Sequence, residues 1–286
     1  MRAIVLLGHG SLRSASGAAM IRCAARLRAR GLAPLVAAAF LNYSRPTLME
    51  TAARCRARGA TEVLIQPYFL IAGAYVRHDL PALVASVAAH YPGLRFTIGD
   101  ALGDHAALIR LALHRVQDAL DRLPRADGPR GLLLMAHGTP LPEANAPLYR
   151  VLEAVAREAS FARRLVGYLD CNEPTIPAAL AALAAEGARQ IVALPYFLHM
   201  GRHVREDLPA LIAQAQATLP AAIVQAHHLD YDPLLVEALA ERIVTHLRSP
   251  QGLNPSNDTD PALPVMRDIA RQGAHEEVAH EEEESE

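Results

Sequence analysis

The feature that most constrains the fold of this chain is an internal repeat. The segment Pro67-Tyr68-Phe69-Leu70-x-x-Gly73-x-x-Val76-Arg77-x-Asp79-Leu80-Pro81-Ala82-Leu83 recurs without a gap as Pro195-Tyr196-Phe197-Leu198-x-x-Gly201-x-x-Val204-Arg205-x-Asp207-Leu208-Pro209-Ala210-Leu211. At the same offset His9-Gly10 falls on His137-Gly138, Pro46-Thr47 on Pro174-Thr175, Gly59-Ala60 on Gly187-Ala188, and Asp104 on Asp232. Fixed-period self-similarity of this kind means that one folding unit is present twice. The expected organisation is therefore an N-terminal domain over 1–123, a linker with Pro124, Gly128 and Pro129, and a C-terminal domain over 130–248. Residues 249–286, rich in Pro and then Glu, show no core pattern and read as an acidic, disordered tail.

Within each repeat, short apolar runs alternate with longer amphipathic ones, which is the signature of βαβ units. The pattern predicts strands near 2–8, 34–41, 62–68 and 94–99, with helices near 14–30, 46–58, 78–90 and 104–121. In the second repeat it predicts strands near 131–136, 163–169, 190–197 and 222–228, with helices near 143–157, 174–186, 204–216 and 232–247. The fold class is thus α/β: two tandem doubly wound domains, each on a four-stranded parallel sheet.

Composition narrows the function. No apolar run approaches the length of a membrane span, and polar Gly8-His9-Gly10-Ser11 interrupts the start too early for a signal peptide, so a cytoplasmic location is expected. Three cysteines without a CxxC pair suggest neither a disulfide framework nor a thiolate zinc site. The formal charge of -2 conceals a basic body, because seven of the 30 acidic residues crowd into 274–286 and all 28 basic residues are Arg. A mild, unclustered positive charge suits an anionic small ligand and argues against nucleic acid.

Ligands of open parallel sheets bind beyond the carboxyl ends of the strands. There the second repeat carries His137 after its first strand, Asp170 and Glu173 after its second, and His203 just past its third. Two imidazoles with one or two carboxylates suit borderline divalent metals such as iron, cobalt or nickel, with coordination positions left open. In the first repeat His9 remains, but Asn42, Arg45 and Tyr75 stand where the other repeat has Asp170, Glu173 and His203. Loss of the set in one copy of a fold marks it as functional rather than a packing requirement. Arg13, Arg45 and Arg77 near the first repeat's edge, and Arg202 and Arg205 beside His203, are placed to hold carboxylates. His199 reads equally as a third imidazole or a pocket wall. His78 and His105 read as solvated or capping, Cys171 as a small buried thiol, and His275 and His280 as part of a solvated tail.

The motifs Gly-His-Gly-Ser (8–11), Ala-His-Gly-Thr (136–139), Leu-Asp-Cys-Asn-Glu-Pro-Thr-Ile (169–176) and Pro-Tyr-Phe-Leu-x-x-Gly-x-His-Val-x-x-Asp-Leu-Pro (195–209) resemble the two-domain sirohydrochlorin chelatases. The resemblance covers roughly 1–248. It implies a lyase that inserts Co²⁺ or Fe²⁺ into sirohydrochlorin without ATP, in cobalamin or siroheme biosynthesis, while the ligand types alone leave Ni²⁺ a third candidate. It implies no tightly bound cofactor, the metal being a substrate, and no membrane or nucleic-acid partner. It further implies that His137 and His203 serve metal binding and proton transfer, with Asp170 where the family more often has Glu and Glu173 as a second acid. Which acid approaches the metal stays open, as does the oligomeric state. Substrate carboxylates are assigned to Arg202, Arg205, Arg45, Arg13 and His9. A carrier that binds metal or tetrapyrrole without turnover is the alternative. A histidine phosphatase would need Arg immediately before the His, where Gly8 and Ala136 stand.

Overall fold

A computed structural model of the chain describes residues 1–10, 17–42, 44–124 and 128–248. The first repeat runs β1 (Arg2–Gly8), α1 (Ala18–Ala29), β2 (Leu35–Phe40), α2 (Leu48–Ala57), β3 (Glu62–Pro67), α3 (Leu80–His90), β4 (Arg95–Ile98) and α4 (Ala106–Leu120). The second runs β5 (Arg130–Ala136), α5 (Ala146–Glu158), β6 (Arg163–Tyr168), α6 (Ile176–Ala185), β7 (Gln190–Pro195), α7 (Leu208–Thr218), β8 (Ala222–Gln225) and α8 (Pro233–Arg248). Among the described residues all eight strands and eight helices fall where the alternation of apolar runs predicts them. The main departure at strand ends is β8, which stops at Gln225 rather than 228. The proposed tail, His275 and His280 lie outside the described residues.

The two sheets have the same parallel order, β2-β1-β3-β4 and β6-β5-β7-β8. Register follows the repeat: Val5 pairs with Ala37 and Ile65, and Leu133 with Leu165 and Ala193. Strands covered on both faces must be apolar without alternation, and β1 and β5 are buried along all but their first residue. Helix starts are duplicated as well. Thr47 caps α2 by accepting the Glu50 N–H at 3.2 Å while Glu50 accepts the Thr47 N–H at 2.9 Å, and Thr175 caps α6 from the matching position.

The halves share one core. A continuous apolar cluster joins Ile4, Leu6 and Leu64 of the first sheet to Leu132, Leu134 and Val192 of the second through α1, α4, α5 and α8, whereas α2 with α3 and α6 with α7 cover the outer faces. Arginines stitch the layer. Arg115 of α4 donates to the carbonyls of His228 (3.1 Å) and Leu229 (3.0 Å) and pairs with Asp232 (3.2 Å), and Arg242 of α8 donates to the Leu102 carbonyl at 2.8 Å. Arg150 of α5 crosses to Asp104, as Arg22 of α1 crosses to the Tyr231 ring.

The sheet order fixes where a ligand can enter. From β1 the chain leaves toward β2 on one side and returns to β3 on the other, so the connections diverge at the carboxyl ends of β1 and β3, and likewise of β5 and β7.

Candidate metal centre

His137 follows β5 and His203 lies just past β7, the two neighbouring strands at the switch point of the second sheet. Backbone bonds continue beyond the strands: the Leu169 N–H donates to the Ala136 carbonyl at 3.0 Å and the Asp170 N–H to that of His137 at 2.9 Å. The chain can turn so tightly only because residue 138 is glycine. Gly138 has φ +97°, and a Cβ there would stand 1.9 Å from the Asp170 carbonyl oxygen. Asn172 braces the turn, its Oδ1 accepting the Thr139 N–H at 2.8 Å and an Asn145 amide N–H at 2.9 Å.

His203 opens a single π-turn, His203–Asp207, that leads into α7. The wider turn is a departure from the plain helix expected over 204–216, and such turns recur at functional positions. It brings Asp207 back beneath the imidazole, with Nδ1 of His203 2.6 Å from Oδ2 of Asp207. Because a carboxylate can only accept, Nδ1 carries a proton, and in the neutral ring Nε2 is then the lone-pair nitrogen. The rings of His137 and His203 meet edge to face, their centroids 5.2 Å apart. A cavity of about 370 Å³ lies beside them, with His137, Asp170, His203 and Asp207 on its walls and Leu169, Ala210 and Leu211 as its apolar part.

His137 keeps an exposed edge, yet the protein packed around it disfavours the charged ring and holds its pKa below the ordinary imidazole value. The neighbouring His203 pushes the same way, against weaker opposition from the Gly138 backbone and Asp170. A neutral imidazole at neutral pH is the state that can take up a proton or bind a cation.

Of the sequence-predicted set, the structure brings together His137, His203 and Asp170. Glu173 is not on the cavity wall: its carboxylate accepts the Thr175 N–H at 2.8 Å, next to the start of α6. Asp170 in turn accepts the Cys171 N–H at 2.7 Å. Among the described residues no three His, Cys, Asp or Glu side chains converge closely enough to enclose an ion, so the edge is an open, two-imidazole face. Cys171 is exposed rather than the buried thiol expected, because its φ of +62° turns it out of the loop. Asp207 was missed from the sequence. Its signal was the spacing, four residues after a His that the first repeat lacks.

Elsewhere, Arg202 lies 3.7 Å from Glu206 and 3.8 Å from Asp207, in the turn it begins. Arg205 is exposed in the same turn. Arg45 is exposed and pairs with Glu50 at 3.0 Å, and Arg77 reaches Glu143 of the other repeat at 2.8 Å. Arg13 lies outside the described residues. His105 caps α4 by accepting the Ala107 N–H at 3.2 Å, as expected. His199 is not on the cavity wall. It packs against Tyr68 of the first repeat at 5.6 Å between centroids, with Nδ1 buried and unpartnered, and His228 is buried nearby.

The first repeat preserves the frame without the chemistry. Gly10 has φ +88° and the same 1.9 Å approach, here to the Asn42 carbonyl, and the Asn42 N–H donates to the His9 carbonyl at 2.9 Å. A π-turn again begins after β3, at Tyr75, whose ring meets His9 edge-on at 4.6 Å. Tyr75 thus occupies the place of His203, and the position of Asp170 is an amide.

The family model described as CbiX matches residues 3–119 and again 131–246. The chain is 24% identical over 201 residues to the sirohydrochlorin cobaltochelatase of Priestia megaterium, covering 70% of this chain and 65% of that protein, so it spans just under two thirds of that relative's length. It is 23% identical over 253 residues to the sirohydrochlorin ferrochelatase of the same organism, 87% of this chain and 92% of that protein. Among solved structures it superposes on SirB from Bacillus subtilis with Fe3+ at a TM-score of 0.74 and 20% identity, over 87% of this chain and 96% of that one, a likeness of fold.

Proposed function

Because the chain belongs to the CbiX family, we propose that it inserts a divalent metal, Co²⁺ or Fe²⁺, into sirohydrochlorin without ATP, and that the second repeat does the chemistry. The observation that carries the reading is the pair of imidazoles, their ring centroids 5.2 Å apart beyond the carboxyl ends of adjacent central strands, beside a cavity with Asp170 and Asp207 on its walls.

Metal insertion into a tetrapyrrole requires the ion to shed ligands while two pyrrole N–H protons leave. Nε2 of His203, the ring being oriented by the Asp207 hydrogen bond, would offer its lone pair to the incoming ion. His137, held neutral by its surroundings, takes a pyrrole proton or shares the ion. Asp170 adds negative charge near the incoming cation. An open face of few ligands binds the metal weakly enough to surrender it to four pyrrole nitrogens, which a closed tetrahedral site would not. Glu173 acts on the backbone of its own loop. Arg202 and Arg205 meet carboxylates of the macrocycle from the second repeat, and His9, Arg13 and Arg45 meet them from the first. The reaction is assigned to the cytoplasm, and the metal is a substrate rather than a resident cofactor.

The test is anaerobic absorbance during incubation of the full chain with sirohydrochlorin and Co²⁺ or Fe²⁺. Wild type and Tyr75→Ala should accelerate insertion, and His203→Ala should not. A wild-type rate no faster than the spontaneous one, with the macrocycle still bound, would establish a carrier and end the enzymatic reading.

A further inference from the structure

The first repeat carries a basic pocket at the opposite end of its sheet from the strand carboxyl ends. It lies between the last turns of α1 and α2 and the first residues of β2, an edge strand. The cavity measures about 230 Å³ and is lined by Arg28, Arg54 and Arg58, by Thr51 and Cys55, and by Leu35 to Ala37.

Three guanidinium groups at one opening repel one another, and among the described residues none of the three forms an ion pair. Arg28 and Arg54 lie in the last turns of their helices, where a cation complements the helix dipole. The same dipole accounts for Arg58, the C-cap residue of α2, and leaves the interior of the pocket unexplained. In that interior Thr51 is fully buried, and its hydroxyl has no hydrogen-bond partner. A buried hydroxyl left unpaired is costly, so a fold that keeps one beside a cavity gains when a ligand oxygen arrives.

The second repeat is the internal control. At the positions of Arg28, Thr51, Arg54, Cys55 and Arg58 it has Ala156, Ala179, Ala182, Leu183 and Glu186. Its arginines there stand on the strand instead, Arg163 and Arg164 in place of Leu35 and Val36, and both are engaged, Arg163 donating to the Glu186 carbonyl and Arg164 pairing with Glu153, so the fold itself does not demand unpaired helix arginines beside a buried hydroxyl.

We propose that this pocket binds a small oxyanion, a phosphate or a carboxylate. The forks of Arg28, Arg54 and Arg58 clamp the charged head, the Thr51 hydroxyl donates to one of its oxygens, and Leu35, Val36 and Cys55 accommodate a short hydrocarbon portion. The site shares no residue with the metal centre and does not depend on the reading given for it.

Isothermal titration of the full chain with inorganic phosphate, and separately with succinate, at constant ionic strength tests this. One saturable event is expected with at least one anion. Phosphate alone assigns a phosphoryl head, succinate alone a carboxylate. Arg54→Ala/Arg58→Glu should weaken binding at least tenfold and Thr51→Ala severalfold, while Arg157→Ala, at an exposed arginine outside both sites, leaves it unchanged. An unchanged circular dichroism spectrum and urea midpoint show that the pocket variants fold. No saturable binding of either anion, or binding that survives Arg54→Ala/Arg58→Glu at full strength, overturns the proposal.

Discussion

Nδ1 of His203 sits 2.6 Å from Oδ2 of Asp207, and the π-turn that joins them in sequence is the device that makes the contact. The first repeat has the same π-turn and the same acid, Asp79, but offers it a tyrosine. Asp79 has its pKa raised, chiefly by burial, with His78 and His9 opposing. A carboxylate kept in both repeats therefore gains an imidazole to orient only in the second.

Removing that orientation should reduce function without removing a ligand. Asp207→Asn is expected to lower kcat/KM for metal insertion by about 10–100-fold, the usual cost of losing the partner of a metal-binding imidazole. Steady-state rates with Co²⁺ at saturating macrocycle check it, together with metal affinity by titration. An unchanged rate and affinity would show that Asp207 is no more than a surface acid.

Gly138 and Gly10 carry the same backbone strain in the two repeats, which separates the fold's demand from the reaction's. Substituting either by alanine should cost about 1–3 kcal/mol in urea unfolding, because φ is positive and the new Cβ meets a carbonyl oxygen. Gly138→Ala should also displace the His137 and Asp170 loops and depress the insertion rate per folded molecule. Gly10→Ala should largely spare it. Equal rate losses would move the chemistry away from the second repeat.

His199 makes the fold acid-sensitive. Burial pushes its pKa down to about 4, with His9 and His228 adding to the effect and Asp230 opposing it. The folded chain therefore holds this ring neutral, while the unfolded chain protonates it near pH 6.5. Stability is intact above that pH and is lost as pH falls toward 4, where the unfolded state binds a proton that the folded state refuses. The first repeat has Ile71 at this position. His199→Ile should shrink the loss of unfolding free energy between pH 7 and pH 5 by about 2 kcal/mol, measured by urea titration at both values. Identical losses in wild type and variant would remove His199 from the account.

The secondary structure was legible because every element obeys a period. Apolar runs gave the strands, amphipathic spacing the helices, and the repeat supplied each assignment twice. The π-turns were not legible, since an extra residue per turn leaves no mark on a hydrophobic pattern. Neither was the exposure of Cys171, which depends on one positive φ in a loop.

The sequence alone determined that there are two repeats of one α/β unit, and that the set His137, Asp170 and His203 is complete in only one of them, the first keeping only His9. Identity at a fixed offset is a property of the chain and needs no coordinates. The tertiary structure decided which acids stand near the imidazoles, replacing Glu173 by Asp207, because a carboxylate's reach depends on the turn that carries it. It also decided that the two repeats share one apolar layer. Either sheet's inner helices could have faced water or each other, and only packing, with apolar surface of both repeats removed from solvent together, selects between them.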